Sequence, residues 1–178
     1  MKIHRVLAAA FVLVQSAIAA DSPAKPLKVF IFAGQSNMQG QGIVTGYELA
    51  GFVWWHGWND FCSPKVGTPE YEANLTNLIK DVRRELGVPK LPVVIGEFTG
   101  PWGADCKEAA ALTIRKAQKA VAEKPEFAGT VTFVVTHDFV RTKEESPTGE
   151  AHHEFKNGET YFLIGDALGK GMLKLLPK

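Results

Sequence analysis

Leu27-Lys28-Val29-Phe30-Ile31-Phe32-Ala33, running directly into Gly34-Gln35-Ser36-Asn37-Met38, is the stretch on which the fold turns. Its first part is almost continuously apolar and rich in β-branched and aromatic residues. That is the pattern of a strand buried on both faces, as in a parallel sheet covered by helices. Gly34 then permits a tight turn. Working outward, three more runs of the same kind follow: Gly51-Phe52-Val53-Trp54-Trp55, Leu91-Pro92-Val93-Val94-Ile95-Gly96 and Thr130-Val131-Thr132-Phe133-Val134-Val135.

Between and after these runs the apolar period changes from strand-like to helical. Tyr71 to Leu86 sets Leu75, Leu78, Ile79, Val82 and Leu86 on one face, and Gly87 with Pro89 ends it. Cys106 to Ala122 is Ala-rich with Lys and Arg outside, and Tyr161 to Leu176 carries Leu163, Ile164, Leu168, Met172 and Leu175 at helical spacing. Strands alternating with helices predict a three-layer α/β/α, flavodoxin-like domain with a mostly parallel sheet of about four strands. The segment from Met38 to Gly51 shows neither a helix nor a further strand, although a parallel connection needs a dozen or more residues.

The N-terminus reads differently. Lys2 and Arg5, the apolar run Val6 to Val14 and the small residues Ala17-Ile18-Ala19 have the layout of a secretory signal peptide over residues 1–20. The run is too short for a permanent membrane span. The domain is expected over residues 27–178, after a short linker containing Pro23 and Pro26, in a secreted or periplasmic protein. The leader takes with it two of the 20 Lys+Arg and none of the 19 Asp+Glu, which leaves one net negative charge. Such a surface carries no electrostatic footprint for nucleic acid or an anionic membrane. Cys62 and Cys106 are the two cysteines; a disulfide and two separate thiols both suit an extracytoplasmic chain. No paired Cys/His spacing suggests zinc.

In open parallel sheets ligands sit beyond the carboxyl ends of the strands. The residues following each predicted strand therefore define a rim: Gln35-Ser36-Asn37, then His56-Gly57-Trp58-Asn59-Asp60, then Glu97, then His137-Asp138. Ser36 stands where a nucleophile would stand, although Ser and Asn at such a position also cap helices. A serine hydroxyl needs a general base beside it. Four histidines follow the leader, at 56, 137, 152 and 153. Glu150 precedes His153 by three residues in a polar loop and could orient its ring; the alternative is a solvated loop. Asn59 could donate to a tetrahedral oxyanion, where one donor is worth about 3 kcal/mol, or close an Asx-turn. Trp54 and Trp55 point to opposite faces of a strand, so at least one of them is core.

Phe32-Ala33-Gly34-Gln35-Ser36-Asn37-Met38, Trp55-His56-Gly57-Trp58-Asn59-Asp60, and Glu150-Ala151-His152-His153 ahead of Tyr161-Phe162-Leu163-Ile164-Gly165-Asp166 together resemble the SGNH hydrolase superfamily, specifically its sialate O-acetylesterase-like carbohydrate esterases. The resemblance implies Ser36 as nucleophile, His153 as base, Glu150 as its acidic partner and Asn59 as oxyanion donor. Gln35, His56 and Trp58 are then candidate substrate contacts, and Arg115 and Gln118 fit a structural Arg-x-x-Gln of the branch. The implied substrate is an acetylated carbohydrate, and the chemistry needs no metal or organic cofactor. Two departures stand out. His56 replaces the branch's usual Gln, and Gly40 to Gly51 stands where members carry a long region with a strand and a second oxyanion glycine. Such a shortened fold suits either an active esterase or a weak or inactive remnant that binds glycan or protein. A flavodoxin-like nucleotide binder is a weaker alternative, because the chain has no Gly-rich phosphate loop.

Overall fold

The computed structural model describes residues 27–33, 47–151 and 153–177. The leader, residues 34–46 with Gln35 and Ser36, and His152 lie outside the described residues. Among the described residues the sheet has four strands in the order β1 (Leu27–Ala33), β2 (Tyr47–Trp54), β3 (Val93–Gly96) and β4 (Val131–Val134), with β1 outermost beside β2. Every pairing is parallel.

One boundary differs from the sequence reading. Strand β2 begins at Tyr47 rather than Gly51, because Tyr47, Glu48 and Leu49 pair with Leu27, Lys28 and Val29. The register then slips: Phe30 pairs with Gly51, leaving Ala50 as an extra residue. A bulge of this kind breaks the alternation of side chains along a strand, and that hid the first half of β2 from a pattern search.

Among the described residues four α-helices follow: α1 (Trp58–Phe61), α2 (Gly67–Glu85), α3 (Ala109–Ala122) and α4 (Gly158–Leu175). Alternation along the central strands sorts the core into two sides. Phe52, Val93, Ile95 and Val131 face α2 and α3, meeting Tyr71, Leu75, Ile79, Ile114 and Val121. Val53 and Val94 face α4, meeting Ile164, Leu168 and Met172. The three-layer α/β/α arrangement is therefore present, with two helices on one face of a parallel sheet and one on the other.

Buried polar side chains lock the layers. At the end of α2, Gly87 takes φ +67° and turns the chain out of the helix. Arg83 beside it is buried; it donates to the Leu91 carbonyl at 2.8 Å and to Thr130 Oγ1 at 2.9 Å, so α2 is tied to the entries of β3 and β4. Asn157 caps α4, accepting from the Thr160 amide at 3.0 Å while its own amide donates to the Glu145 carbonyl at 3.1 Å. Losing such a cap costs about 1 kcal/mol. Helix α3 starts at Ala109, later than its sequence pattern suggests, because Cys106 and Glu108 are extended and a short 3-10 turn occupies Gly103–Asp105.

Candidate active site

The strand ends set the site. Ala33 pairs with Trp54, so β1 and β2 end side by side at the C-terminal rim of the sheet, and the Gly57-Trp58-Asn59 block follows β2 there, while Ser36 lies outside the described residues. Beyond Trp54 the chain is pinned from beneath. The His56 carbonyl accepts from Tyr71 Oη at 2.6 Å and from Gln118 Nε2 at 3.1 Å. Trp54 Nε1 donates to the same tyrosine hydroxyl at 3.0 Å, and burial pushes that hydroxyl's pKa up to about 12.

Gly57 is buried where a Cβ would sit 2.9 Å from the Phe98 ring, so a glycine is required for the chain to pass. Helix α1 then carries Trp58, half-buried and stacked at 5.4 Å on Phe61, and exposed Asn59. His56 packs its ring on Trp54 at 5.3 Å, and burial lowers its pKa, with Asp60 opposing that shift. Among the described residues its Nδ1 meets no hydrogen-bond partner.

The next two strand ends carry a pair that sequence reading placed on the rim without joining. Glu97 is 6% exposed; one carboxylate oxygen meets both His137 Nδ1 and the Thr136 amide, the latter at 3.3 Å. The Glu97 carbonyl accepts from Thr136 Oγ1 at 2.6 Å and from Trp55 Nε1 at 3.1 Å. His137 Nε2 lies 3.2 Å from Asp138. The available signal was positional: Gly96 pairs with Val134 across β3 and β4, so Glu97 and His137 follow neighbouring strand ends.

The loop before α4 contains the predicted base. His153, Glu154, Phe155 and Lys156 all have φ between +47° and +63°. A left-handed turn of four non-glycine residues costs about 1–2 kcal/mol for each residue, so surrounding contacts must hold it. Tyr161 Oη donates to the His153 carbonyl at 2.9 Å, Thr148 Oγ1 to the Phe155 carbonyl at 3.2 Å, and Thr99 Oγ1 to Glu154 Oε1 at 2.9 Å. Phe155 is buried beneath it. Strained backbone of this kind clusters at functional positions.

Glu150 pairs with Lys156 at 2.9 Å, and the carboxylate of Glu154 interacts electrostatically with His153. Burial raises the Glu154 pKa, against hydrogen bonds from Thr99 and Tyr161. Cys62 is an exposed thiol and Cys106 a buried one. The rim thus offers the Asn59 amide as a donor, the His153 imidazole near the Glu154 carboxylate, and aromatic faces. Those groups suit acyl transfer at a hydroxyl, once a nucleophile is supplied by the block after β1.

Comparison with known families gives a match over much of the chain. The family described as carbohydrate esterase, sialic acid-specific acetylesterase, matches residues 43–162. That span holds His56, Trp58, Asn59, Glu150 and His153 and begins after Ser36. No curated protein and no solved structure matches the chain.

Proposed function

Since the chain belongs to the sialic acid-specific acetylesterase family of carbohydrate esterases, we propose that it is a serine esterase that removes acetyl groups from sugar hydroxyls outside the cytoplasm, after loss of residues 1–20. The observation that supports this reading is the register of Ala33 with Trp54, which ends side by side the two strands that precede the Ser36 and Asn59 blocks in the sequence.

The reaction runs in two halves. Ser36 Oγ attacks the acetyl carbonyl as His153 takes its proton, and the tetrahedral oxyanion is held by the Asn59 amide and the Ser36 backbone N–H. Collapse breaks the bond to the sugar oxygen, which leaves with the proton from His153. Water, deprotonated by the same imidazole, then hydrolyses the acetyl-serine and regenerates the hydroxyl. Glu150 orients His153 in the manner of a triad acid. Gln35, His56 and Trp58 contact the sugar.

The test is acetate release from O-acetylated sialic acid and from acetylated xylo-oligosaccharides by the mature chain, beside a Ser36→Ala variant of equal thermal stability. Release by the first and not the second supports the reading. Equal rates would refute it, and binding of sugar without any release would favour a non-catalytic glycan-binding role.

A further inference from the structure

From the far end of the rim we infer that Trp102, His137 and Asp138 form a second sugar subsite, taking the carbohydrate chain that carries the acetylated residue. The inference rests on the esterase reading for the identity of its ligand, and on four features of the structure for its place.

Trp102 is 49% exposed, among the larger apolar surfaces of the described residues, and it stands on the loop that leaves β3 at the C-terminal rim. A large aromatic left in water on a rim suits an apolar sugar face. Its loop is rigidly seated. The buried Arg115 donates from beneath to the carbonyls of Phe98, at 2.8 Å, Thr99, and Gly103, at 2.8 Å.

The Trp102 loop also lies against the β4 exit. Gly103 takes φ +56°, and a Cβ there would lie 2.9 Å from the His137 carbonyl oxygen and 2.5 Å from Val140 Cβ. The two rim segments are therefore in direct contact, with no space for a side chain between them.

His137 is held in one orientation by the buried Glu97 carboxylate at Nδ1, and its Nε2 is close to the exposed carboxylate of Asp138. An oriented imidazole and an exposed carboxylate supply the donor and acceptor partners that sugar hydroxyls need. Nothing in the Ser36–His153 chemistry uses them.

Distance makes this a subsite rather than part of the reacting centre. Strands in a sheet lie about 4.8 Å apart, so the end of β4 is about 14 Å from the end of β1 across the three intervening steps. That separation from the end of β1 corresponds to a few sugar rings.

The experiment uses the mature chain with Trp102→Ala, His137→Gln and Asp138→Asn variants, each checked for native melting. Binding of unacetylated xylotetraose and of sialyllactose is measured by calorimetry, alongside hydrolysis of p-nitrophenyl acetate. Trp102→Ala is expected to weaken binding of at least one oligosaccharide about tenfold, and the two polar variants about fivefold, as for a buried aromatic anchor and its polar neighbours. Aryl acetate hydrolysis should stay within about twofold of the parent, a change too small to reflect a lost contact to the reacting atoms. Binding that is absent in the parent, or identical in all four proteins, overturns the subsite. Loss of aryl acetate turnover in the parent would instead count against the esterase reading, so the two failures are separable.

Discussion

Gln118 donates through Nε2 to the His56 carbonyl at 3.1 Å while its Oε1 accepts the Phe98 amide at 2.7 Å. One fully buried side chain on α3 therefore clamps the loops leaving β2 and β3. Its Nε2 also meets the Tyr71 hydroxyl at 3.0 Å, which the same His56 carbonyl accepts from.

Removing that clamp should cost heavily. Gln118→Leu keeps much of the volume but strands the buried Phe98 amide N–H and removes a donor from the His56 carbonyl and the Tyr71 hydroxyl. A loss of about 3 kcal/mol is expected, which for a chain of this size lowers the melting temperature by about 6–12 °C. Thermal unfolding followed by circular dichroism reads it; a shift below about 2 °C would show that the clamp carries little.

Glu97 should prove a stabilising residue through His137. Glu97→Ala leaves the Thr136 amide and the ring without their acceptor, which costs about 1.5–3 kcal/mol for a charge-assisted contact. The imidazole Nδ1 resonance of His137, observed by nitrogen NMR, should lose its hydrogen-bonded shift in the variant. An unchanged spectrum would contradict the pairing.

Two half-buried titratable groups predict opposite pH trends. Burial lowers the folded-state pKa of His56, so the unfolded chain takes up its proton first as the pH drops below about 6.5. The stability contributed by neutral His56 is thus present above that pH and lost as pH falls through the lowered folded value. Glu154 is raised instead, so its contribution is present below about pH 4.3 and lost as pH rises through the folded value. The melting temperature of His56→Gln, relative to the parent, should therefore climb between pH 7 and pH 5. That of Glu154→Gln should climb from pH 4 to pH 7. Parallel curves for parent and variants would refute the assignment.

The glycines of α4 separate by what lies beside them. Nothing lies within 4 Å of a Cβ built on Gly165 or Gly169, whereas one on Gly171 would sit 2.7 Å from Val134 Cγ2. Alanine at 165 or 169 should stabilise by about 0.8–1 kcal/mol through helix propensity. At 171 overpacking of about 1–3 kcal/mol opposes that gain, so Gly171→Ala should be neutral to destabilising. Urea unfolding of the three variants ranks them, and equal gains at all three would show that α4 does not sit closely on β4.

These contrasts also mark what the sequence could reveal. All four strands, the three long helices and their layering follow from apolar period, because Phe52 and Val53, or Val93 and Val94, must face opposite sides. The first half of β2 was concealed by the bulge at Ala50 and by Glu48 in an otherwise apolar strand. Trp54 and Trp55 facing opposite layers was legible from alternation alone.

The rim was legible as a set of strand ends, but its wiring was not. The pairing of Glu97 with His137 depends on a register between β3 and β4 that no local pattern encodes. Likewise, the left-handed turn at His153 is maintained by Thr99, Thr148 and Tyr161, three residues far apart in the chain. Glu150 stands three residues before His153 and pairs with Lys156, a partner that its spacing to the histidine does not announce.

The central claim is that Ser36 is an esterase nucleophile with His153 as its base. It is tested most directly by incubating the mature chain with a fluorophosphonate and locating the covalent label by peptide mass spectrometry. The account predicts a single label on Ser36, strongly slowed in His153→Ala and prevented by prior addition of an acetylated sugar. A label on another residue, or none on a chain that is folded by circular dichroism, would contradict it.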